Sequence, residues 1–240
     1  MAKPVALISG ASRGIGRAAS VTLARLGYRL ALAARTERDL AETARLAGCG
    51  SDDVVLLPGD VADAAKAQSM VERAVAWFGR IDAVVNVAGV APVRSIVDTS
   101  VDEWRAVLDT NLSASFYLTK FAWPHLKAAS TTDRHSVVVN ISSLASRDPF
   151  PGFAAYGAAK AALNVFGLVA AREGQADGIA VHTIAPGAVE TAMFRQIMTT
   201  DQYSPDKTLT PEAVADVIAR CVTGELAHTR GEVIYLHKTL

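Results

Sequence analysis

Tyr156 and Lys160 stand four residues apart. On a helix that spacing puts both side chains on one face. A free phenol has a pKa near 10 and moves protons poorly at neutral pH. An ammonium beside it favours the phenolate. Lowering a tyrosine by about three units corresponds to roughly 4 kcal/mol. That needs a close, partly desolvated cation and further positive charge. The chemistry such a pair suits is proton transfer to or from an oxygen. Ser142 and Ser143 follow the β-branched run 136–141, so a hydroxyl emerges where a strand ends. Ligands of open α/β sheets bind at such ends. Asn111 lies inside a helical stretch, where an amide is mildly unfavourable, and a buried role is expected for it.

A second group of residues suits a phosphate. Gly10-Ala11-Ser12-Arg13-Gly14-Ile15-Gly16 joins the apolar run 5–8 to a helical pattern over 14–26. Gly10 permits a sharp turn, Gly14 lets backbone approach a ligand, and Gly16 lets the helix lie near the strand. The free N–H groups of the helix start would then face a pyrophosphate. The spacing is neither the common GxGxxG nor a Walker loop, which needs Gly-Lys-Ser/Thr. The next strand, 28–33, runs on into Ala34-Arg35-Thr36 with no acid to accept from a ribose 2′-hydroxyl. Arg13 and Arg35 are placed instead to meet a 2′-phosphate, since guanidinium binds phosphate in bidentate fashion. This points to NADP(H).

The elements that must position these residues alternate. Strands are expected at 5–8, 28–33, 54–57, 83–87, 136–141, 179–184 and 232–236. Helices are expected at 14–26, 36–47 (with Thr36 as N-cap), 64–78, 154–175 and 211–222, with one long helix over 101–128 bent near Pro124. Apolar strands alternating with helices imply an α/β fold: a Rossmann-type doubly wound parallel sheet of about seven strands with helices on both faces. No Ser/Pro-rich linker divides it, so a single domain is expected over 1–240, with a short substrate lid at about 190–210.

Lysine plus arginine and aspartate plus glutamate both number 24, so the formal charge is zero. That balance argues against nucleic-acid and membrane-surface partners. With 50% hydrophobic and 20% charged residues, the chain is too apolar for disorder. The first apolar run is too short for a secretory signal, and no uninterrupted stretch of about 18 apolar residues suggests a membrane span. Cys49 and Cys221 read as free thiols, which fits a cytoplasmic protein. The five histidines form no i, i+4 pair and no cluster with cysteine, so no metal is expected.

Together these residues resemble the short-chain dehydrogenase/reductase family, over essentially the whole chain. The matching elements are the loop 10–16, Gly59-Asp60-Val61, Asn86-Val87-Ala88-Gly89, Asn111, Ser143, Tyr156-x-x-x-Lys160, and Pro186-Gly187 followed by Thr191. The thirteen-residue step from Ser143 to Tyr156 selects Ser143 over Ser142. The resemblance implies a catalytic tetrad of Asn111, Ser143, Tyr156 and Lys160. Ser143 would bond the substrate carbonyl, Tyr156 would give it a proton, Lys160 would lower the tyrosine pKa and hold ribose hydroxyls, and Asn111 would anchor a water beside Lys160. It also implies cofactor contacts from Gly10, Ser12, Arg13, Gly14, Ile15, Gly16, Arg35, Asp60, Val61, Asn86, Ala88, Gly89, Tyr156, Lys160, Pro186, Gly187, Val189 and Thr191.

Two departures from the family stand out. Position 87 is Val where relatives usually carry a second Asn, and the usual Asp-Gly-Gly after the last strand is missing. A packing substitute is expected at Val87. The implied activity is reduction of a small apolar carbonyl by NADP(H), or alcohol oxidation in reverse. The expected pocket rim is Val90, Pro92, Val93, Leu144, Phe150, Phe153, Met193, Phe194 and Met198. The alternative is a 3-oxoacyl-(acyl-carrier-protein) reductase, which would dock an acidic carrier. Arg134 suits that docking and Asp177 opposes it. A remote alternative is a non-catalytic nucleotide sensor, though such relatives typically lose the tyrosine or lysine. The resemblance also implies a homotetramer or homodimer built on the helices 101–128 and 154–175.

Overall fold

The computed structural model describes residues 3–132 and 135–238. Seven strands form one sheet: β1 (Val5–Ser9), β2 (Arg29–Ala34), β3 (Val54–Pro58), β4 (Ala83–Asn86), β5 (Ser136–Ile141), β6 (Ile179–Pro186) and β7 (Val233–Leu236). Their order is β3-β2-β1-β4-β5-β6-β7, and every pairing is parallel. The winding reverses between β1 and β4, which opens a crevice at the carboxyl ends of those strands.

A parallel sheet covered on both faces needs strands that are apolar at every position. Neighbouring residues then serve opposite layers. Ile8 and Val85 face a cluster with Leu23, Val214 and Ile218, from α1 (Gly14–Arg25) and α8 (Pro211–Val222). Leu7 and Val84 face the other cluster, with Met70, Leu118 and Ala170. These last come from α3 (Ala64–Phe78), α5 (Ala114–Ala129) and α6 (Ala154–Asp177). The remaining helices are α2 (Glu37–Leu46), α4 (Val101–Leu108) and α7 (Ala192–Ile197).

The helix expected over 101–128 is not continuous. A π-helical turn at Asp109–Ser113 separates α4 from α5. Within it, Asn111 Nδ2 donates to the Val107 carbonyl at 2.9 Å, so the side chain competes with the backbone ladder. Pro124 sits inside α5, which continues to Ala129, and the break in α geometry lies well before it. Thr36 stands at the N-cap of α2 but makes no side-chain cap bond. It borders the crevice instead.

Helix α6 is long and apolar enough to cross a membrane by length and composition. Here it lies against β6. Gly167 and Gly174 let it approach, and a methyl added at Gly167 would overlap Thr183 Oγ1. Overpacking of this kind costs about 1–3 kcal/mol. Gly167→Ala is expected to lower the urea unfolding midpoint accordingly; an unchanged midpoint would show that α6 is free to move off the sheet.

Candidate active site

The crevice at the carboxyl ends of the strands is a cavity of about 540 Å³. Its floor is the glycine loop. Gly10 and Gly14 have left-handed φ of +63° and +54°. A Cβ at Gly10 would lie 2.9 Å from Ala88 N, so the loop after β4 passes against it. Gly16 packs on the Gly10 carbonyl and does not line the cavity, so the cofactor contact implied for it is a correction and its place is between helix and strand. The loop is pinned from behind by residues the sequence reading overlooked. Arg17 Nη2 donates to the Ser12 carbonyl and Arg17 Nε to Thr43 Oγ1, whose hydroxyl reaches the Ala11 carbonyl. The bare backbone at Gly14, at the start of α1, fits a pyrophosphate. Arg13, Arg35, Thr36 and Asp39 border the far end of the cavity, with Gly59, Asp60 and Val61 beside them. Asp39 is an acid the sequence reading did not place there.

Asn86 is a correction. It is buried and does not line the cavity. Its amide donates to Asn140 Oδ1 at 2.9 Å and to Thr119 Oγ1 at 3.1 Å. It therefore ties β4 to β5 and α5 from within the core. Ser9 Oγ accepts from the N–H groups of Val87 and Ala88, which fastens the next residues to β1. Val87 packs on the apolar core. Backbone bonds to Ser9 thus hold this segment without help from the Val87 side chain.

The tetrad residues converge beside Gly89. Asn111 Oδ1 accepts from Val90 N at 3.2 Å and its Nδ2 donates to Val90 O at 2.9 Å. The side chain is thereby committed to holding the loop after β4. A Cβ at Gly89 would fall 2.7 Å from Asn111 Oδ1, so the Asn111 amide leaves room only for glycine, with Lys160 Nζ in ordinary contact at 3.6 Å. Lys160 is 3% exposed and donates from Nζ to the Ile141 carbonyl at 2.9 Å. Burial pushes its pKa down to about 7. Tyr156 lies one helical turn earlier, with Lys160 Nζ 5.7 Å from its ring centre. Burial raises the phenol pKa, and a hydrogen bond with Ser143 acts against that rise. Ser143 Oγ also accepts from Ala145 N, which fixes its rotamer. Ser142, by contrast, donates to the Lys160 carbonyl and supports the backbone.

Above this centre the walls are apolar. Phe153 lies between Phe150 and Tyr156, with ring centres 3.9 and 5.1 Å apart. Val90, Leu144, Met193, Phe194 and Met198 also line the cavity, whereas Pro92 and Val93 do not. Tyr203, not anticipated, packs edge-on against Phe194 at 5.4 Å. The segment over 190–210 carries α7 and is tied down. Arg195 bonds Glu190 and the Tyr203 carbonyl, and Thr208 bonds Glu190. The end of β7 closes the base of the mouth through Gly187 N donating to the Leu236 carbonyl.

A doubly wound sheet with a glycine loop at its switch point, a serine just after β5 and a tyrosine and lysine on α6 facing the same crevice, has the build of a nucleotide-dependent oxidoreductase. Comparison with known proteins narrows this. The short chain dehydrogenase family profile matches residues 4–202. The 3-oxoacyl-(acyl-carrier-protein) reductase of Escherichia coli (strain K12) is 32% identical, over 97% of this chain and 95% of that protein. Among solved structures, the 3-ketoacyl-(acyl-carrier-protein) reductase from Brucella melitensis complexed with NADH is similar, with a TM-score of 0.90 and 23% identity over 98% of this chain and 97% of that one. Levodione reductase superposes with a TM-score of 0.87 at 23% identity, over 99% and 97% of the two chains. The chain belongs to the short-chain dehydrogenase/reductase family.

The burial of Lys160 has a measurable consequence. Its folded pKa, about 7, lies below the ordinary value of 10.5. Between those values the unfolded chain binds more protons, so this residue's contribution to stability becomes more favourable as pH rises. Relative to wild type, Lys160→Met is expected to be more stable at pH 6 than at pH 10, by an amount on the order of a few kcal/mol. Calorimetry at both pH values measures this, and a difference independent of pH would show that the amine is not desolvated.

Proposed function

We propose that the protein is an NADP(H)-dependent carbonyl reductase, working as an alcohol dehydrogenase in reverse, on an apolar ketone or aldehyde of small-molecule size. The observation that carries the reading is the convergence of Ser143, Tyr156 and buried Lys160 on one cavity, at the foot of the aromatic and methionine wall. Preference for NADP(H) rests on Arg13 and Arg35 at the far end of the cleft, two guanidinium groups in a region that Asp39 and Asp60 also line.

The bound cofactor supplies or accepts the hydride. The chain's own residues manage the oxygen. Ser143 holds the carbonyl oxygen beside Tyr156, and the Tyr156 hydroxyl donates its proton as negative charge develops there. Lys160, in its charged form, steadies the resulting phenolate. Asn111 keeps the Gly89–Val90 backbone against the lysine, so the amine has one position. The apolar wall excludes water and accepts an apolar substituent.

A second reading, a 3-oxoacyl-(acyl-carrier-protein) reductase, is favoured by the identity to the Escherichia coli enzyme. Against it, Asp177 closes α6, accepting from Trp123 Nε1 at 2.9 Å and pairing with Lys127 at 2.6 Å. That consumes a cation and leaves a carboxylate where an acidic carrier would dock. Arg134, the residue suited to carrier docking, lies outside the described residues. We also read the outer face of α5 and α6, where Phe116, Val165 and Val169 are exposed, as the contact of a homodimer or homotetramer.

A panel of carbonyl compounds with NADPH and NADH tests the main reading. Tyr156→Phe is expected to lower kcat by about 10²–10⁴-fold with cofactor affinity kept. Turnover confined to small polar sugars or acids overturns the substrate class, and efficient use of an acetoacetyl thioester favours the second reading. Arg35→Asp is expected to swing preference toward NADH, and unchanged cofactor kinetics would reject the assignment to a 2′-phosphate.

A further inference from the structure

A second cavity, of about 230 Å³, opens at the other end of the sheet. It lies beside the amino-terminal halves of β5 and β6 and the last turn of α8, away from the cofactor cleft. Arg230, His182, His135, Thr223 and Cys221 are among its lining residues, and no carboxylate lines it. Among the described residues no acid pairs with Arg230. The nearby Glu225 is already held by Arg220 and the Thr223 hydroxyl. Carbonyls in the last turn of α8 do not compete for the cation. Those of Ala219, Arg220 and Cys221 accept from Thr223, Leu226 and Gly224.

His182 is the unusual member. It is 1% exposed and stands in the middle of β6. Its Nδ1 lies 3.1 Å from Thr229 Oγ1. The Thr229 hydroxyl spends its hydrogen on the Leu226 carbonyl at 2.9 Å. Nδ1 is therefore the donor in the histidine pair, which leaves the lone pair of the neutral ring on Nε2. Burial and the Arg230 charge push the imidazole pKa down to about 4, so the ring is neutral at physiological pH. Among the described residues, no protein group bonds Nε2. Cys221, buried and with its pKa raised to about 12, adds no charge.

We propose that this cavity binds a small oxyanion that keeps a proton at neutral pH, namely free hydrogen phosphate. The guanidinium of Arg230 takes the charged oxygens. The Nε2 lone pair of His182 accepts from the one P–O–H group. This pairing selects by protonation. Inorganic phosphate still carries a proton at pH 8. Sulfate does not, and a phosphate monoester, with a second pKa near 6, has lost its own.

The test uses the holoenzyme saturated with NADP(H), which keeps added anions off Arg13 and Arg35. Inorganic phosphate, sulfate and glycerol phosphate are titrated by calorimetry at pH 8 and constant ionic strength. Wild type is expected to bind phosphate saturably, and sulfate and glycerol phosphate at least ten-fold more weakly. Arg230→Gln, at an exposed position remote from the active site, is expected to abolish phosphate binding with carbonyl reduction unchanged. Three results overturn the proposal: no saturable phosphate binding, binding retained in Arg230→Gln, or sulfate and the ester binding as tightly as phosphate.

Discussion

A lysine side chain buried at the end of a parallel sheet is the constraint around which this molecule is arranged. Lys160 reaches the Ile141 carbonyl from α6, under a backbone that tolerates no Cβ at Gly89. Burial of an amine is costly, and among the described residues no acid offsets it. The surrounding structure must therefore be stiff enough to keep the amine from escaping to water. Asn111 clasps Val90 from the π turn, Ser142 braces the Lys160 backbone, and Ser9 fastens the loop that carries Gly89. Each is a polar residue in an otherwise apolar core, and each acts on main-chain atoms next to the lysine.

The same economy shapes the nucleotide end. A loop that must present N–H groups to a ligand cannot also spend them on side-chain caps, and Arg13 makes no cap bond at the start of α1. The loop is held from outside its concave face by Arg17 and Thr43. The β4–β5 junction is tied by the Asn86–Asn140 amide pair, away from the cavity. Cofactor surface and structural support are thus kept on opposite sides of the backbone.

Much of this was legible in the chain. The alternation of apolar runs with helical patterns located all seven strands, because a sheet covered on both faces leaves a continuous signature. The glycine trio and the Tyr156–Lys160 spacing were readable because they are local, within one turn or one helix. Asn86 was misassigned because its position beside Ala88 and Gly89 in sequence says nothing about which side of the strand its amide faces. The helix over 101–128 was read as continuous because Asn111, whose side chain bonds the Val107 carbonyl at the π turn, is turned inward by Val90, twenty-one residues away.

The sequence by itself determined the class of fold, the glycine loop and the spacing of Ser143, Tyr156 and Lys160, since these depend on short-range spacing and hydrophobic period. Only the tertiary structure showed that the other serine, Ser142, props the lysine backbone. It alone decided that Asp39 shares the cleft with Arg35, and that His182 and Arg230 line one cavity at the far end of the sheet. These are matters of distance between segments remote in the chain. They are fixed by how the helices seat on the sheet, which no local pattern encodes.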